Sequence, residues 1–463
     1  MAIPMRVGMT ETPPLPKAQG AMHTPRPLNF PDLHPMSLFQ DLQFRGIVKQ
    51  VTDPELEQTL AAGPVTLYVG FDPTADSLHV GSLLPLLTLR RFQRAGHKVI
   101  ALVGGATGLI GDPSFKAQER ALLDEAQLQR NLEGISKVIR RVLSFEGENA
   151  AVVVNNFDWF KGVSYLQFLR DIGKHFTVNH MIAKESVRAR LEDREHGISY
   201  TEFSYMLLQA YDFYRLHKDR GCVLQVGGSD QWGNITAGIE LTRRMEAAEG
   251  RAQPKMFGLT HPLVMKADGT KFGKTEQGTV WLDPKRTSPY RLYQFFIQTA
   301  DADVSTYLRY FTFLSQEEIG ALEAALASEP EKRAAQQALA REVTRIVHGD
   351  DEVARAEAAT QALFGTSIRD LDEATLLDVM SDAPSTEKPK TALESYALID
   401  ALVDTGLCSS KGAARKDIAA GGVYVNNERV NDVAATIKSA DLIGGAHVVL
   451  RKGKKNYHLL RFA

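Results

Sequence analysis

Two short segments of this chain hold residues fit to handle a polyphosphate. His79, Gly81 and Ser82 lie in HVGS, just ahead of the apolar run LLPLLTLRRF. A helix N-terminus offers unpaired N–H groups and a positive dipole end, which suit a phosphate, and a glycine there lets a flat base approach the backbone. Read alone, the same letters also fit an N-cap by Ser77 with His79 exposed. The second segment, MKADGTKFGKT, carries Lys271 and Lys274 in a loop loosened by Gly269 and Gly273. Two lysines so placed can meet a charged polyphosphate and then release it, although such a loop is also an ordinary solvated turn.

A third group is a polar stripe. In TEFSYMLLQAYDF, Tyr205, Gln209 and Asp212 follow at i, i+4 and i+7 and share one helix face amid Phe, Leu and Met. Such a stripe either caps a core network or lines a polar pocket. Gly70, Asp72, Gly228 and Asp230 stand where strands should end, and GDPSFKAQER sets Lys116 and Arg120 after a Gly-rich turn. Both sets read equally well as plain turn and helix-start residues.

The elements that must position these residues alternate. VTLYVGF, HKVIALVGG and AVVVNN read as strands, with helices from about Val80 and in AQLQRNLEGISKVIRRVL. That alternation implies an α/β fold with a doubly wound parallel sheet, whose ligands lie beyond the carboxyl ends of the strands. From about Phe157 to Gln209 the pattern turns helical, then returns to a strand at CVLQVGG, as an insertion between two halves of a nucleotide-binding domain would. The expected organisation is a disordered extension over 1–36, a catalytic domain over 37–285, a helical domain over 286–383, a linker over 384–395 and a small basic α/β module over 396–463. Met36 is an alternative start.

Composition narrows the class. The chain has 463 residues, 44% hydrophobic and 24% charged, and no apolar run approaches the roughly 20 residues that span a bilayer. Cys222 and Cys408 are far apart without CxxC spacing, which argues against a disulfide framework or structural zinc and fits a reducing cytoplasm. No protein-held metal is expected. The net charge of -2 hides an uneven distribution. Leu314 to Pro384 holds 15 acidic and 6 basic residues, whereas Leu393 to Ala463 holds 10 basic and 7 acidic, five of the basic ones in the tail RKGKKNYHLLRFA. A basic edge of that kind is either solvated or a phosphate contact.

In this order, HVGS and KFGKT resemble the HIGH and KMSKS signatures of class I aminoacyl-tRNA synthetases. YVGFDPTADSLHVG, GGATGLIGDPS, TEFSYMLLQAYDF and GGSDQWGN are similar to segments of bacterial tyrosyl-tRNA synthetases, and the likeness runs from about Ser37 to the C-terminus. It departs from the commonest pattern at Ser82, Phe272 and Gly273. The resemblance implies a Rossmann-like catalytic domain that forms tyrosyl-adenylate from ATP, releases pyrophosphate and passes tyrosine to the 3' end of tRNA(Tyr). By that resemblance Tyr205 and Gln209 hold the amino group of tyrosine, Tyr68 and Asp212 bond its phenolic OH, and Asp112 and Gln231 complete the pocket. His79, Thr74, Lys271, Lys274 and Thr275 would grip the phosphates, with Lys116 and Arg120 closing over them and Mg²⁺ riding on ATP. Gly70, Asp72, Gly81, Ser82, Gly228 and Asp230 would contact tyrosine or the ATP sugar and base. LVDTGLCSSKGAARKDIAAGGVYVNNERVND resembles an S4-type RNA-binding domain, with Ser410, Lys411, Arg415 and Lys416 on its helix. A homodimer is expected, with apolar faces such as YLQFLRDIGKHF at the interface. A small-molecule adenylyltransferase, a non-catalytic RNA-binding relative and a tryptophanyl-tRNA synthetase are the rival readings.

Overall fold

Runs of β-branched and aromatic residues build the central sheet. In a computed structural model describing residues 36–113, 123–192, 197–275, 278–364, 368–381, 383–453 and 456–463, six strands join in it: β1 Gln50–Val51, β2 Thr66–Phe71, β3 Lys98–Val103, β4 Val152–Asn155, β5 Cys222–Gly228 and β6 Phe257–His261. Their order is β1-β6-β5-β2-β3-β4. β2 runs parallel to both β3 and β5; the connection after β2 leads to β3 and that after β5 leads the other way to β6, which opens a crevice at the carboxyl ends of β2 and β5. The short β1 is an exception to the expected parallel sheet. It pairs antiparallel with β6, Gln50 opposite Thr260, and neither strand has a long enough run to declare itself in the sequence.

The Leu83–Arg94 helix packs its leucines and Phe92, all fully buried, against this sheet. The Glu125–Val142 helix, capped by Asp124, lies beside it, and Asn131 donates to the carbonyl of Pro73 at 2.8 Å, which fixes the turn before HVGS. The expected insertion contains only helices joined by turns among its described elements and ends in the long Tyr200–Arg220 helix, N-capped by Ser199 and closed by Gly221.

Downstream, the Asp301–Phe311 helix is gripped at its carboxyl end. Arg45 donates to the carbonyls of Arg309, Thr312 and Leu314, and Arg91 of the Leu83–Arg94 helix donates to that of Thr312. Arginines at a helix carboxyl end satisfy its orphan carbonyls and its dipole together.

The C-terminal segment forms a second sheet from β9 Ser385–Lys388, β10 Val423–Val425, β11 Glu428–Arg429, β12 His447–Lys452 and β13 Asn456–Phe462, in the order β11-β10-β12-β13-β9. β9 falls in the stretch read as a linker. Its alternating exposure and parallel pairing with β13 make it the sheet's edge strand, and its polar composition, STEK, hides a strand whose outer face is solvated. Nor is the joint loose. Ala362, Ile368, Leu376 and Met380 from the helical region share one apolar cluster with Ile443, Val449 and Leu459. No helix among the described residues is long and apolar enough to cross a membrane.

Candidate active site

The crevice beside β2 is lined by polar groups that bond one another in a chain. Tyr205 donates its OH to Asp72 at 2.9 Å, and Thr107 donates to the other oxygen of Asp72 at 2.8 Å. Gln209 donates to Gln231 at 3.1 Å, and Gln231 to Asp112 at 2.7 Å. Tyr205, Gln209 and Asp212 therefore do lie on one helix face, turned toward β2 and the Gly228–Gln231 turn. Burial first, then the charges of Asp72 and Asp112, push Tyr205 well above the ordinary phenol range. Burial, then Asp112, likewise raises Asp230. Asp72, Asp112 and Asp230 thus stand around one network of amides and hydroxyls.

Deeper in, Tyr68 on β2 is buried, and its OH has no hydrogen-bond partner among the described residues. Its ring packs edge-on against Phe213 at 5.3 Å, which fixes where the OH points. Asp212, also buried, accepts from the Trp159 indole at 2.9 Å and from Asn156 at 3.1 Å. Burial lifts its carboxyl to about 8 against the pull of those two hydrogen bonds. A buried phenol beside a buried carboxyl, each with bonding capacity to spare, can accept and return the bonds of a second hydroxyl.

At the crevice mouth the two phosphate-type motifs meet. Val80 N–H donates to the carbonyl of Val280, Val280 N–H to that of Gly273, and Leu282 N–H to that of Leu78. Gly273, at φ +83°, presses so closely that a Cβ there would stand 2.6 Å from Val80 Cγ2. Its neighbour Phe272 is buried among Phe295, Phe296, Tyr307 and Phe311, with ring centroids 4.8 to 6.1 Å away. Tyr307 also donates to the carbonyl of Met265, and Asp303 accepts from Ala267 N–H at 2.7 Å. The clamped Asp301–Phe311 helix is thus the footing of the lysine loop. The unusual Phe and Gly of KFGKT are its anchor and its point of closest approach.

His79, not Ser77, caps the short Val80–Ser82 turn: its Nδ1 accepts from Gly81 N–H at 2.9 Å. The ring folds over Gly81, where a Cβ would lie 2.7 Å from Cε1, so this glycine serves the histidine before any base. Ser77 bonds to Leu78 and Asp283 instead. Desolvation, then the Lys274 charge, lowers the pKa of His79, so the ring is neutral near pH 7 with its proton on Nε2. Trp281 stands edge-on 6.3 Å away. Arg286 stacks on Trp281 at 3.6 Å and pairs with Asp76, which closes a circuit behind the imidazole.

The family described as class I tRNA synthetases (W and Y) matches residues 60–365, and a tyrosine–tRNA ligase C-terminal domain matches residues 376–460. The chain belongs to the class I tyrosyl-tRNA synthetase family. Tyrosine–tRNA ligases of Roseiflexus castenholzii and Escherichia coli are 55% and 54% identical to it, each over 92% of this chain and 99% and 98% of their own. Among solved structures, a C-terminally truncated mitochondrial tyrosyl-tRNA synthetase of Aspergillus nidulans aligns over 71% of this chain and 94% of its own, with a TM-score of 0.64 and 32% identity.

Against this family background the expected residues divide by place. Tyr68, Asp72, Asp112, Tyr205, Gln209, Asp212, Asp230 and Gln231 converge on the crevice. Gly70 is exposed on β2 and Gly228 ends β5. His79, Gly81, Ser82, Lys271 and Lys274 share the mouth, with Thr74 exposed in the preceding turn. Thr275 pairs through its backbone with Gly278, while Lys116 and Arg120 fall outside the described residues. Ser410 caps the Lys411–Ala419 helix of the C-terminal module, where Arg415 and Lys416 are exposed and Lys411 pairs with Asp400 at 2.7 Å. Sequence reasoning passed over Asn156, Trp159 and Thr107, which hold the site's carboxylates, and Trp281 with Arg286. A polar residue directly after the VVVN strand was the one available signal, for Asn156.

Proposed function

We propose that this chain is a tyrosine–tRNA ligase that works through tyrosyl-adenylate, and that Tyr68 and Asp212 select the substrate. The observation that supports this most directly is the buried Tyr68 OH, without a partner among the described residues, set beside the buried Asp212 carboxyl. A tyrosine side chain there donates its phenolic proton to Asp212 and accepts from Tyr68. Phenylalanine leaves both unpaired, and a site built to bond an OH rejects it strongly, a behaviour for which tyrosyl-tRNA synthetases are themselves the standard example.

The amine then falls among Tyr205, Gln209, Asp112 and Gln231, and the carboxylate faces the crevice mouth. One carboxylate oxygen attacks the α-phosphorus of ATP, forming the mixed anhydride as the bond to the bridging oxygen of pyrophosphate breaks. His79 donates from Nε2 to a phosphate oxygen, and Lys271 and Lys274 meet the charge of the leaving pyrophosphate, with Thr74, Thr275, Lys116 and Arg120 adding contacts. Mg²⁺ enters with ATP as part of that substrate. Gly70, Asp72, Gly81, Ser82, Gly228 and Asp230 border the adenylate. In the second step a ribose hydroxyl at the tRNA 3' end attacks the tyrosyl carbonyl, and AMP leaves. Ser410, Lys411, Arg415 and Lys416, on the S4-like module that follows the helical domain, meet the tRNA backbone. Tyr165, Leu166, Val178 and Tyr200, exposed on the helical insertion, form the homodimer contact, and the enzyme works in the cytoplasm.

Tyrosine-dependent exchange between ATP and pyrophosphate tests the reading. Tyrosine should support it, with phenylalanine and tryptophan near background. Equal exchange with tryptophan or phenylalanine would overturn the substrate assignment.

A further inference from the structure

His79 is exposed at the crevice mouth, and an exposed side chain turns among its rotamers within nanoseconds unless something holds it. Gly81 fixes one edge of the ring through its N–H bond to Nδ1. A second constraint comes from a segment far along the chain. Val80 N–H donates to the carbonyl of Val280 at 3.0 Å and Leu282 N–H to that of Leu78 at 2.8 Å, so His79 and Trp281 oppose each other across a short antiparallel bridge. With the bonds on either side of it, this is a non-hydrogen-bonded pair, the register at which opposed side chains approach most closely. The rings meet edge-on, 6.3 Å between centroids and 70° between planes.

Trp281 is itself held from two directions. Its backbone N–H donates to Oγ1 of the buried Thr287 at 2.9 Å. Its indole face carries the Arg286 guanidinium, with Cζ 3.6 Å from the ring centroid, and Arg286 Nη1 donates to Asp76 at 2.6 Å. The backbone of Asp76 is seated on the Glu125–Val142 helix, where a Cβ built at Gly134 would lie 1.8 Å from the Asp76 carbonyl oxygen. The path from His79 through Trp281 and Arg286 therefore returns to a fixed point on the turn just ahead of the histidine. Val280, in the same segment, also donates its N–H to the carbonyl of Gly273. The ring that faces His79 thus sits on the strand lying between the two phosphate-type motifs.

We propose that Trp281, braced by Arg286, is a positioning residue for His79: the indole limits the swing of the imidazole and keeps Nε2 directed at the phosphate. A donor helps a developing charge only when its geometry is set beforehand. An exposed ion pair and a surface cation–ring stack add little to stability, which suits a device for aim more than one for holding the fold. The inference rests on the role given to His79 in adenylate formation.

The test is a double-mutant cycle in the full-length enzyme, read by single-turnover formation of tyrosyl-adenylate and by equilibrium binding of tyrosine. Trp281→Leu should slow the chemical step about ten- to a hundredfold, with the tyrosine Kd held within about twofold. Trp281→Phe, which keeps an aromatic ring, should recover most of that loss. Arg286→Gln should slow the step about two- to fivefold, the worth of an exposed cation–ring stack. In a His79→Ala background both changes should cost less than about twofold, because no ring is left to aim. Equal losses in the two backgrounds would show that Trp281 acts on ATP or on the fold, and would overturn the inference. So would Trp281→Phe as slow as Trp281→Leu, Arg286→Gln as fast as wild type, or a loss of tyrosine affinity in step with the rate. If Trp281→Leu does not fold, Arg286→Gln, at an exposed position, decides through the same cycle. His79→Ala as fast as wild type would strike the role of His79 and this inference with it, while a wild type without tyrosine-dependent exchange would strike the catalytic reading.

Discussion

Replacing Tyr68 by phenylalanine should separate substrate recognition from stability. Among the described residues the Tyr68 OH has no hydrogen-bond partner, so Tyr68→Phe breaks no bond there and leaves no buried group newly unpaired. The ring, its contact with Phe213 and its burial are all retained. The free enzyme should therefore melt within a few degrees of wild type, as expected for a change of at most about 1 kcal/mol. Tyrosine loses one hydrogen bond, worth about 0.5 to 1.5 kcal/mol, and should bind roughly 2- to 12-fold more weakly. Phenylalanine loses nothing, so the preference for tyrosine over phenylalanine should shrink by the same factor. Equilibrium binding of both amino acids, together with a melting curve, reads all three quantities. A large drop in melting temperature, or parallel losses for the two amino acids, would mean that the OH supports the fold and does not face the substrate.

Asp212 behaves oppositely, because Trp159 and Asn156 both donate to it. Asp212→Ala should cost about 1 to 3 kcal/mol for each donor left unpaired, read as a lowered melting temperature. Its carboxyl titrates near 3.8 unfolded and about 8 folded, so the folded state holds the extra proton between those values. Stability should then fall as pH rises from about 4 to 8, and Asp212→Asn should flatten that slope in melting curves taken across the window. Gly273→Ala places a Cβ against Val80 in a left-handed backbone, so single-turnover adenylate formation should slow roughly ten- to a hundredfold while tyrosine affinity holds. Unchanged chemistry would mean that the loop tolerates displacement. A chain ending at Ala383 should keep exchange and lose tRNA affinity, yet melt lower than the full chain, because Leu376 and Met380 are stripped of Ile443, Val449 and Leu459. An unaltered melting temperature would argue that the joint adds no stability.

The legible parts of this molecule were those coded locally. HVGS, KFGKT and the Tyr205, Gln209, Asp212 stripe each fit within one turn, loop or helix, where side-chain spacing decides which groups share a face. Asn156 and Trp159 were silent, since they reach Asp212 across more than 50 residues of sequence and nothing in their own neighbourhood marks them as its partners. The same holds for Trp281, whose use depends on two distant backbone segments lying side by side. β9 was missed for a different reason. An edge strand with one solvated face carries no apolar alternation to read, and its identity comes from its partners in β13, 74 residues on. Phe272 and Gly273, which looked like departures from a signature, are explained by the aromatic box and by Val80.

The strand order β1-β6-β5-β2-β3-β4 also bears on how the protein is born. A ribosome adding about 5 to 20 residues per second delivers β2 well before β5, and β1 some 200 residues before β6, the strand beside which it lies. Between the end of β3 and the arrival of β5, for roughly 6 to 24 seconds, the nascent chain holds half a sheet whose β2 edge lacks its neighbour, its leucine-rich helix waiting for a partner surface. The backbone bonds between Leu78–Val80 and Val280–Leu282 come later still, so the crevice mouth closes only after the sheet is complete. Slow codons or a chaperone site would have most effect between residues 104 and 222, where the emerging half is longest exposed.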